Sequence, residues 1–420
     1  MDQTGNALLN LLRAAIQNEK PTDPELTPEG WEELLRLSDA HKLLPMVLDL
    51  SIGLPSCINA LRRYPQEANG ASVTLAKRWK EQVLMQVGRQ AMQENEFLDL
   101  LLALQTRGLR PVILKGPVCR GLYPRPLLRP SVDDDLLIPE TKAEAFHAAL
   151  LELGLRADDP KADPAAAWEL SYHKPNSPLY LELHKRLFDP THPAFCGFNQ
   201  WFEGALERAV PFRLQDVDTW TLAPTDHLLF LLLHAFKHFL FSGFGLRIVA
   251  DICLFSRQYR EEIDFSAVYH VCKSLRCERF AAAVYQIGGS RLDLPIPEPF
   301  AAEEVDDAPL LEDILASGLL GEQIERLHSA NITLGAVTGA QQGKKRTGTL
   351  RNTLFPSVYT LTDDYPFLKD RPWLLPVAWT KRIWRYLRSR GREGDKSSAA
   401  SLRIGRERIK LLQSYGVLDP

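Results

Sequence analysis

A chain of 420 residues, 45% hydrophobic and 25% charged, has the balance of a soluble globular protein and the length for one large or roughly two to three ordinary domains. Its formal net charge of −3 excludes global attraction to nucleic acid or to an anionic membrane as its organising feature. Six cysteines, at 57, 119, 196, 253, 272 and 277, are scattered without CxxC pairs, which argues against a disulfide framework and for reduced thiols in a cytoplasmic setting.

The first 20 residues place charged side chains around a short apolar patch, with no basic leader region or cleavage signal. Leu8, Leu9, Leu11 and Leu12, then Leu34, Leu35 and Leu37, recur at helical spacing and predict helices over 6–20 and 29–50. Pro21 and Pro28 punctuate them. A longer helical pattern over 71–107 ends at Arg107-Gly108, where glycine supplies a stop. Residues 1–107 thus read as a helical N-terminal region, with His41 at a helix boundary in a structural role.

The stretch 111–139, PVILKGPVCRGLYPRPLLRPSVDDDLLIP, carries the chemistry. Val112, Ile113 and Leu114 form a short strand. Lys115-Gly116 breaks it, and Pro117 suits the first turn of a helix because the amide it lacks has no partner there. Strand, glycine turn and helix start make a phosphate cradle, with Lys115 adding charge at the cleft mouth. On that reading Lys115→Ala weakens nucleotide binding and leaves the free protein as stable as before. Asp133-Asp134-Asp135-Leu136-Leu137-Ile138 then reads as a second strand, with Asp133 and Asp135 on one face. Two such carboxylates call for a cation, and hard oxygen ligands select Mg²⁺ or Mn²⁺. Taken alone, an acidic triplet is better accounted for by a solvated turn. The linked order of strand, Lys-Gly turn, helix, acidic pair and apolar strand favours the site.

The order L-K-G, L-Y-P, Arg129 and D-x-D-L-L-I resembles a bacterial nucleotidyltransferase-like family within the polymerase-β-like superfamily. The resemblance covers most of 105–390, with gaps. It implies an α+β fold, a small mixed β-sheet nucleotidyltransferase core between helical N- and C-terminal regions. The superfamily's usual Gly-Ser pair stands here as Gly116-Pro117, which shifts phosphate binding onto Lys115.

Past the acidic strand, 141–153 reads as a helix stopped by Gly154, and a short strand follows near 168–173. Over 179–184, Leu179, Leu181 and Leu183 alternate with Tyr180, Glu182 and His184, a half-buried strand. By itself Glu182 is either a solvent-facing strand residue or a ligand. The resemblance, which implies an acidic residue followed two places later by His, favours the ligand. His184 is assigned a structural or substrate contact, since Mg²⁺ prefers oxygen.

Residues 226–241 form an apolar, buried helix in which His234 and His238 share a face. The pair lacks the glutamate of a zinc motif and a third ligand, so it reads as buried or as lining the cleft toward the nucleotide. A helix begins at 246, in which Asp251 is placed to hydrogen-bond one of those histidines. Residues 301–307 read as an acidic loop and 335–348 as a flexible basic one, one residue short of a P-loop. The tail 373–386 interleaves tryptophans with Lys381, Arg382 and Arg385. It reads as a helix docked by its aromatics, with contact to RNA or a membrane surface as the alternative.

These readings divide the chain into a helical N-terminal region (1–107), a nucleotidyltransferase-like core (108–220), a helical domain (221–345) and a helical tail (346–420). The expected activity is metal-dependent transfer of a nucleoside monophosphate from an NTP to an acceptor: a small molecule, peptide, protein or RNA. Asp133, Asp135 and Glu182 hold Mg²⁺ or Mn²⁺; Lys115, Gly116, Arg129, Ser131 and His184 serve the nucleotide. The three carboxylates repel one another without metal, so Asp135→Asn is expected to preserve or slightly raise stability. A fold kept as a binding scaffold without catalysis is the alternative, and no stable membrane insertion is expected.

Overall fold

The computed structural model describes residues 2–49, 69–241, 243–317, 333–339, 358–361, 365, 367–389 and 394–419. The chain enters through α1 (Gln3–Gln17), whose first turn is capped by the Asp2 carboxylate accepting from the Gly5 amide at 2.7 Å. The helix α2 (Pro28–Ala40) starts on a Thr27 cap. The single helix expected over 29–50 is two: Lys42 turns left-handed at φ 56°, and a short α3 (Leu44–Val47) resumes in a new direction. The long α4 (Asn69–Thr106) ends as expected, with Gly108 at φ 72°.

The fold is α+β, built on a seven-stranded mixed sheet in the order β3-β4-β5-β2-β1-β7-β6. Its strands are β1 (Val112–Ile113), β2 (Asp134–Leu137), β3 (Arg156–Ala157), β4 (Glu169–His173), β5 (Tyr180–His184), β6 (Val210–Leu214) and β7 (Val217–Thr221). β2 runs antiparallel to β1 and parallel to β5, while β1 and β7 are parallel. Between β1 and β2 lies the short α5 (Lys115–Arg120), and α6 (Ala143–Glu152) follows β2, stopped by Gly154 at φ 86°. α5 begins at Lys115, so Pro117 is its third residue, still in the turn whose amides have no partner within the helix.

Helices α7 (Pro224–Phe241) and α8 (Leu246–Gln258) pack against each other and carry side chains into the sheet's polar face. α9 (Phe265–Ser274), α10 (Glu278–Leu292), α11 (Glu298–Ala301) and α12 (Ala308–Ser317) follow. α1 packs on α10, where Gln17 Nε2 donates to the carbonyls of Leu292 at 3.0 Å and Asp293 at 2.9 Å. One hydrophobic core, from Ala7 to Leu418, joins the N-terminal helices, the sheet and the downstream helices. A separate small cluster, Leu361, Tyr365, Leu368 and Ala378, supports α13 (Leu375–Ser389). The last helix, α14 (Gly394–Ser414), returns to the main body, where the Arg408 guanidinium pairs with Asp313 at 2.7 Å.

His41 is fully enclosed, only 2% exposed; burial lowers its pKa to about 4, so it is a neutral core residue. Residues 333–339 are helical, and the last five of them, 335–339, are the start of the expected basic loop. The rest of that loop, 354–357, Cys57 and Arg390 lie outside the described residues. No described helix is long and apolar enough to cross a membrane.

Candidate active site

β2 lies near the middle of the sheet. Its parallel register sets Asp135 beside Glu182 and Leu137 beside His184 on β5. Paired strand residues share a face and residues two apart share it too, so Asp135, Glu182 and His184 project together. Their ligating atoms all fall within 4.8 Å of one another. His184 Nε2 lies 3.1 Å from Asp135 Oδ1 and 3.5 Å from Glu182 Oε2. On its other side, Nδ1 lies 3.4 Å from Glu169 Oε2 of β4. Burial disfavours the imidazolium, but Asp135 and Glu182 outweigh it and raise the His184 pKa to about 9.

Lys115, at the start of α5, reaches into this group. Its ammonium is 3.2 Å from Asp135 and 3.8 Å from Asp133, and donates to His234 Nε2 of α7 at 3.1 Å. Burial opposes its charge; Asp135, Asp133 and Glu182 overcome that penalty and hold its pKa above the ordinary lysine value. Asp135 shows the reciprocal effect: burial alone would push its pKa up, but Lys115 and His184 hold it well below the usual carboxylate range. His234 is kept neutral by burial and by the neighbouring Lys115 charge. His238, 3.3 Å from His234, is lowered to about 3, chiefly by burial. The histidine pair therefore lies beside the carboxylates, with His234 as an acceptor for Lys115 and His238 against His234.

The three aspartates divide between two faces. Asp134 points away from the site and is 1% exposed, accepting from Gln93 Nε2 at 2.9 Å, with the buried Arg120 guanidinium 3.7 Å away. Arg120 also lies 3.5 Å from Glu94. Asp133 sits on the Lys115 side, outside the trio of Asp135, Glu182 and His184.

The remaining residues singled out in the sequence surround this centre. A Cβ on Gly116 would stand 3.0 Å from Ser131 Oγ and 3.2 Å from the Asp133 carbonyl, so glycine suits the close approach of α5 to the residues that lead into β2. Ser131 takes part in the same contact: its amide donates to Gln90 Oε1 at 2.6 Å and its hydroxyl to the Asp133 carbonyl at 3.0 Å. Arg129 is 2% exposed, and its guanidinium grips both oxygens of Asp251, at 2.9 and 2.6 Å, while donating to the Gly116 carbonyl at 3.1 Å. Tyr123 also donates to Asp251, at 2.7 Å. Asp251 thus serves Arg129 and Tyr123, not a histidine as expected, because α8 turns it toward the 123–129 connection.

Three side chains absent from the sequence-based site belong to it. Lys237 of α7 lies in the field of Glu169, Glu182 and Asp135; burial and Lys115 lower its pKa, and it has no hydrogen bond or ion pair among the described residues. Arg247 of α8 donates to the Pro130 carbonyl, with Asp133 close enough to favour its charge. Glu169 supports His184 from behind. Lys237 follows His234 by one helical turn, a spacing that marks a shared side. Nothing local marks Arg247 or Glu169.

The trio suits a divalent cation. Asp135 Oδ2 is buried with no hydrogen-bond partner among the described residues, a lone acceptor in a crowded acidic setting. Two carboxylates and one imidazole, with their ligating atoms within 4.8 Å of one another, form a donor set of the kind that holds a metal ion.

A family model described as an uncharacterised nucleotidyltransferase matches residues 27–288, a span holding the whole sheet and every side chain of the site. No curated protein and no solved structure matches the chain. The carboxylate-bearing central strands, the lysine at the head of α5 and the length of the match lead to one conclusion: the chain belongs to the family of uncharacterised nucleotidyltransferases.

Proposed function

We propose that the protein transfers a nucleoside monophosphate from an NTP to an acceptor in a reaction that needs Mg²⁺ or Mn²⁺. The observation that carries this reading is the convergence of Asp135, Glu182 and His184 beside the Lys115 ammonium. In the reaction an acceptor oxygen forms a bond to the α-phosphorus, the α–β phosphoanhydride bond breaks, and pyrophosphate leaves with the electron pair; the acceptor proton passes to solvent.

Asp135 and Glu182, with His184 and the nearby Asp133, are the residues that would hold the cation. Bound there, it would lower the charge cost of the attacking oxygen and of the leaving pyrophosphate. Lys115, Lys237 and Arg247 supply positive charge for the triphosphate, and Lys237 has no competing partner among the described residues. The Gly116 amide adds a donor. Arg129 and Ser131 act one step removed, holding the Gly116 and Asp133 carbonyls. Glu169 and Asp135 fix the imidazole of His184 between them. The five described cysteines are free thiols, in keeping with a reducing cytoplasmic setting.

A scaffold without catalysis is the second reading, favoured by Pro117 standing where the superfamily's serine is expected. Thermal-shift titration with each NTP, with and without Mg²⁺ or Mn²⁺, tests for the nucleotide site, and pyrophosphate release during self-modification tests for catalysis. Asp135→Asn should abolish release. Full activity in that variant would end the metal-dependent reading, and nucleotide binding without pyrophosphate release under any acceptor would favour the scaffold.

A further inference from the structure

The whole-chain charge conceals a strong local asymmetry. Residues 371–392 hold seven Lys or Arg and no Asp or Glu, so the remainder of the chain carries −10. Three of the eight tryptophans, Trp373, Trp379 and Trp384, fall in the same segment. The helix α13 spans most of it and has two unlike sides. Ala378 and Trp379 pack inward on the cluster of Leu361, Tyr365 and Leu368. Trp373, Val377 and Trp384 face outward, 72%, 42% and 61% exposed, and Trp373 is the most exposed large hydrophobic side chain among the described residues.

Spacings of four and then seven residues set these three on one stripe of a helical path. Lys381 stands at its edge, with its ammonium 5.5 Å from the centre of the Phe367 ring. An apolar stripe with Lys381 at its edge, on a helix whose sequence carries further basic residues, matches the boundary between lipid headgroups and acyl chains. The central residue of the stripe is aliphatic. A ribose–phosphate chain would gain nothing from Val377, whereas a lipid boundary buries all three side chains at once.

We propose that α13 docks the protein on an anionic lipid surface. Trp373, Val377 and Trp384 enter the headgroup–acyl boundary, and Lys381 with the basic residues after it lies over the lipid phosphates. The association is peripheral, since no described helix is long and apolar enough to cross a membrane. It goes beyond nucleotidyl transfer and does not depend on it.

Sedimentation of the full chain with phosphatidylcholine vesicles, with and without phosphatidylglycerol, is the direct test. Binding to the anionic vesicles, little to the neutral ones, and release by high salt are expected. The double variant Trp373→Ala/Trp384→Ala should lose on the order of tenfold or more in partitioning, and Lys381→Glu about tenfold, since one basic residue at such a surface contributes about fivefold. All three positions are exposed, so an unchanged melting temperature confirms that each variant folds. Failure to bind anionic vesicles at low salt would overturn the proposal, as would a double variant that binds like wild type. So would homopolymeric RNA displacing the vesicles and itself binding in a manner dependent on the two tryptophans, which would assign the surface to nucleic acid.

Discussion

Lys115→Met isolates one charge while keeping most of the side chain's stem. The ammonium stands 3.2 Å from Asp135 and 3.8 Å from Asp133, with its side chain only 18% exposed. At an effective dielectric of about 20, those separations correspond to about 5 and about 4 kcal/mol of Coulomb attraction. Desolvation of the three charged groups cancels a large share, and His184 continues to support Asp135 after the change. A net loss of about 2–4 kcal/mol is expected in metal-free protein. This reverses the expectation drawn from the sequence, in which Lys115 was a mouth residue dispensable to stability. The reason is its position among the carboxylates, where it acts as their internal counter-ion. Urea unfolding in chelator and again in millimolar Mg²⁺ measures both halves of the argument. A cation bound only by the folded state should narrow the gap between variant and wild type. Equal midpoints in chelator would refute the counter-ion role; an equal gap in both buffers would refute its link to metal.

Asp135→Asn should lower stability in chelator by about 1–3 kcal/mol, because Lys115 and His184 lose a shared counter-ion; a variant more stable than wild type in urea would restore the picture of simple carboxylate repulsion. Arg129→Ala should cost about 3–5 kcal/mol through the orphaned Asp251, and Arg129→Lys should recover only part of it, because lysine cannot reproduce the two-pronged grip; thermal or urea melts showing a negligible loss would contradict this. Gly116→Ala should cost about 1–3 kcal/mol as α5 is pushed from β2, and tighter nucleotide binding in a titration of that variant would argue against the contact. His227 is buried and neutral, its pKa lowered by burial from 6.5 to about 3. The unfolded chain takes up that proton first, so the contribution is intact above 6.5 and is lost as pH falls toward 3. By about pH 5 the loss is roughly 2 kcal/mol, and His227→Leu should remove that portion of the acid sensitivity in paired urea melts.

Much of the architecture was legible because it follows local periodicity. The alternation of Leu179, Leu181 and Leu183 located β5, and Gly108 and Gly154 marked helix ends that their positive φ angles explain. The break in α2 was hidden because Lys42, a residue type with no preference for left-handed backbone, makes the turn. The β6–β7 hairpin was missed for a similar reason: Gln215, not Gly or Asn, takes the positive φ at its turn. At the site, strand alternation placed Glu182 and His184 on one side, and the family resemblance favoured Glu182 as a ligand. The part played by His184 depends on its contacts with Asp135 and Glu169, which only the strand order reveals. Arg129 and Asp251 are 122 positions apart, and Lys115 and His234 are 119 apart. No local pattern reports a partnership over such distances.

Those two long-range contacts have a mechanical consequence. Lys115 with His234 and Arg129 with Asp251 stitch the strand-bearing part of the chain to α7 and α8 on either side of the cleft. The boundary drawn between 220 and 221 runs through that seam, so a fragment ending there would leave Asp251 behind and expose Arg129. The sheet and these two helices are thus tied together at two points. Lys115 meets Asp135, Asp133 and His234 through a single flexible stem, so its ammonium can shift among these three partners without moving the helix that carries it.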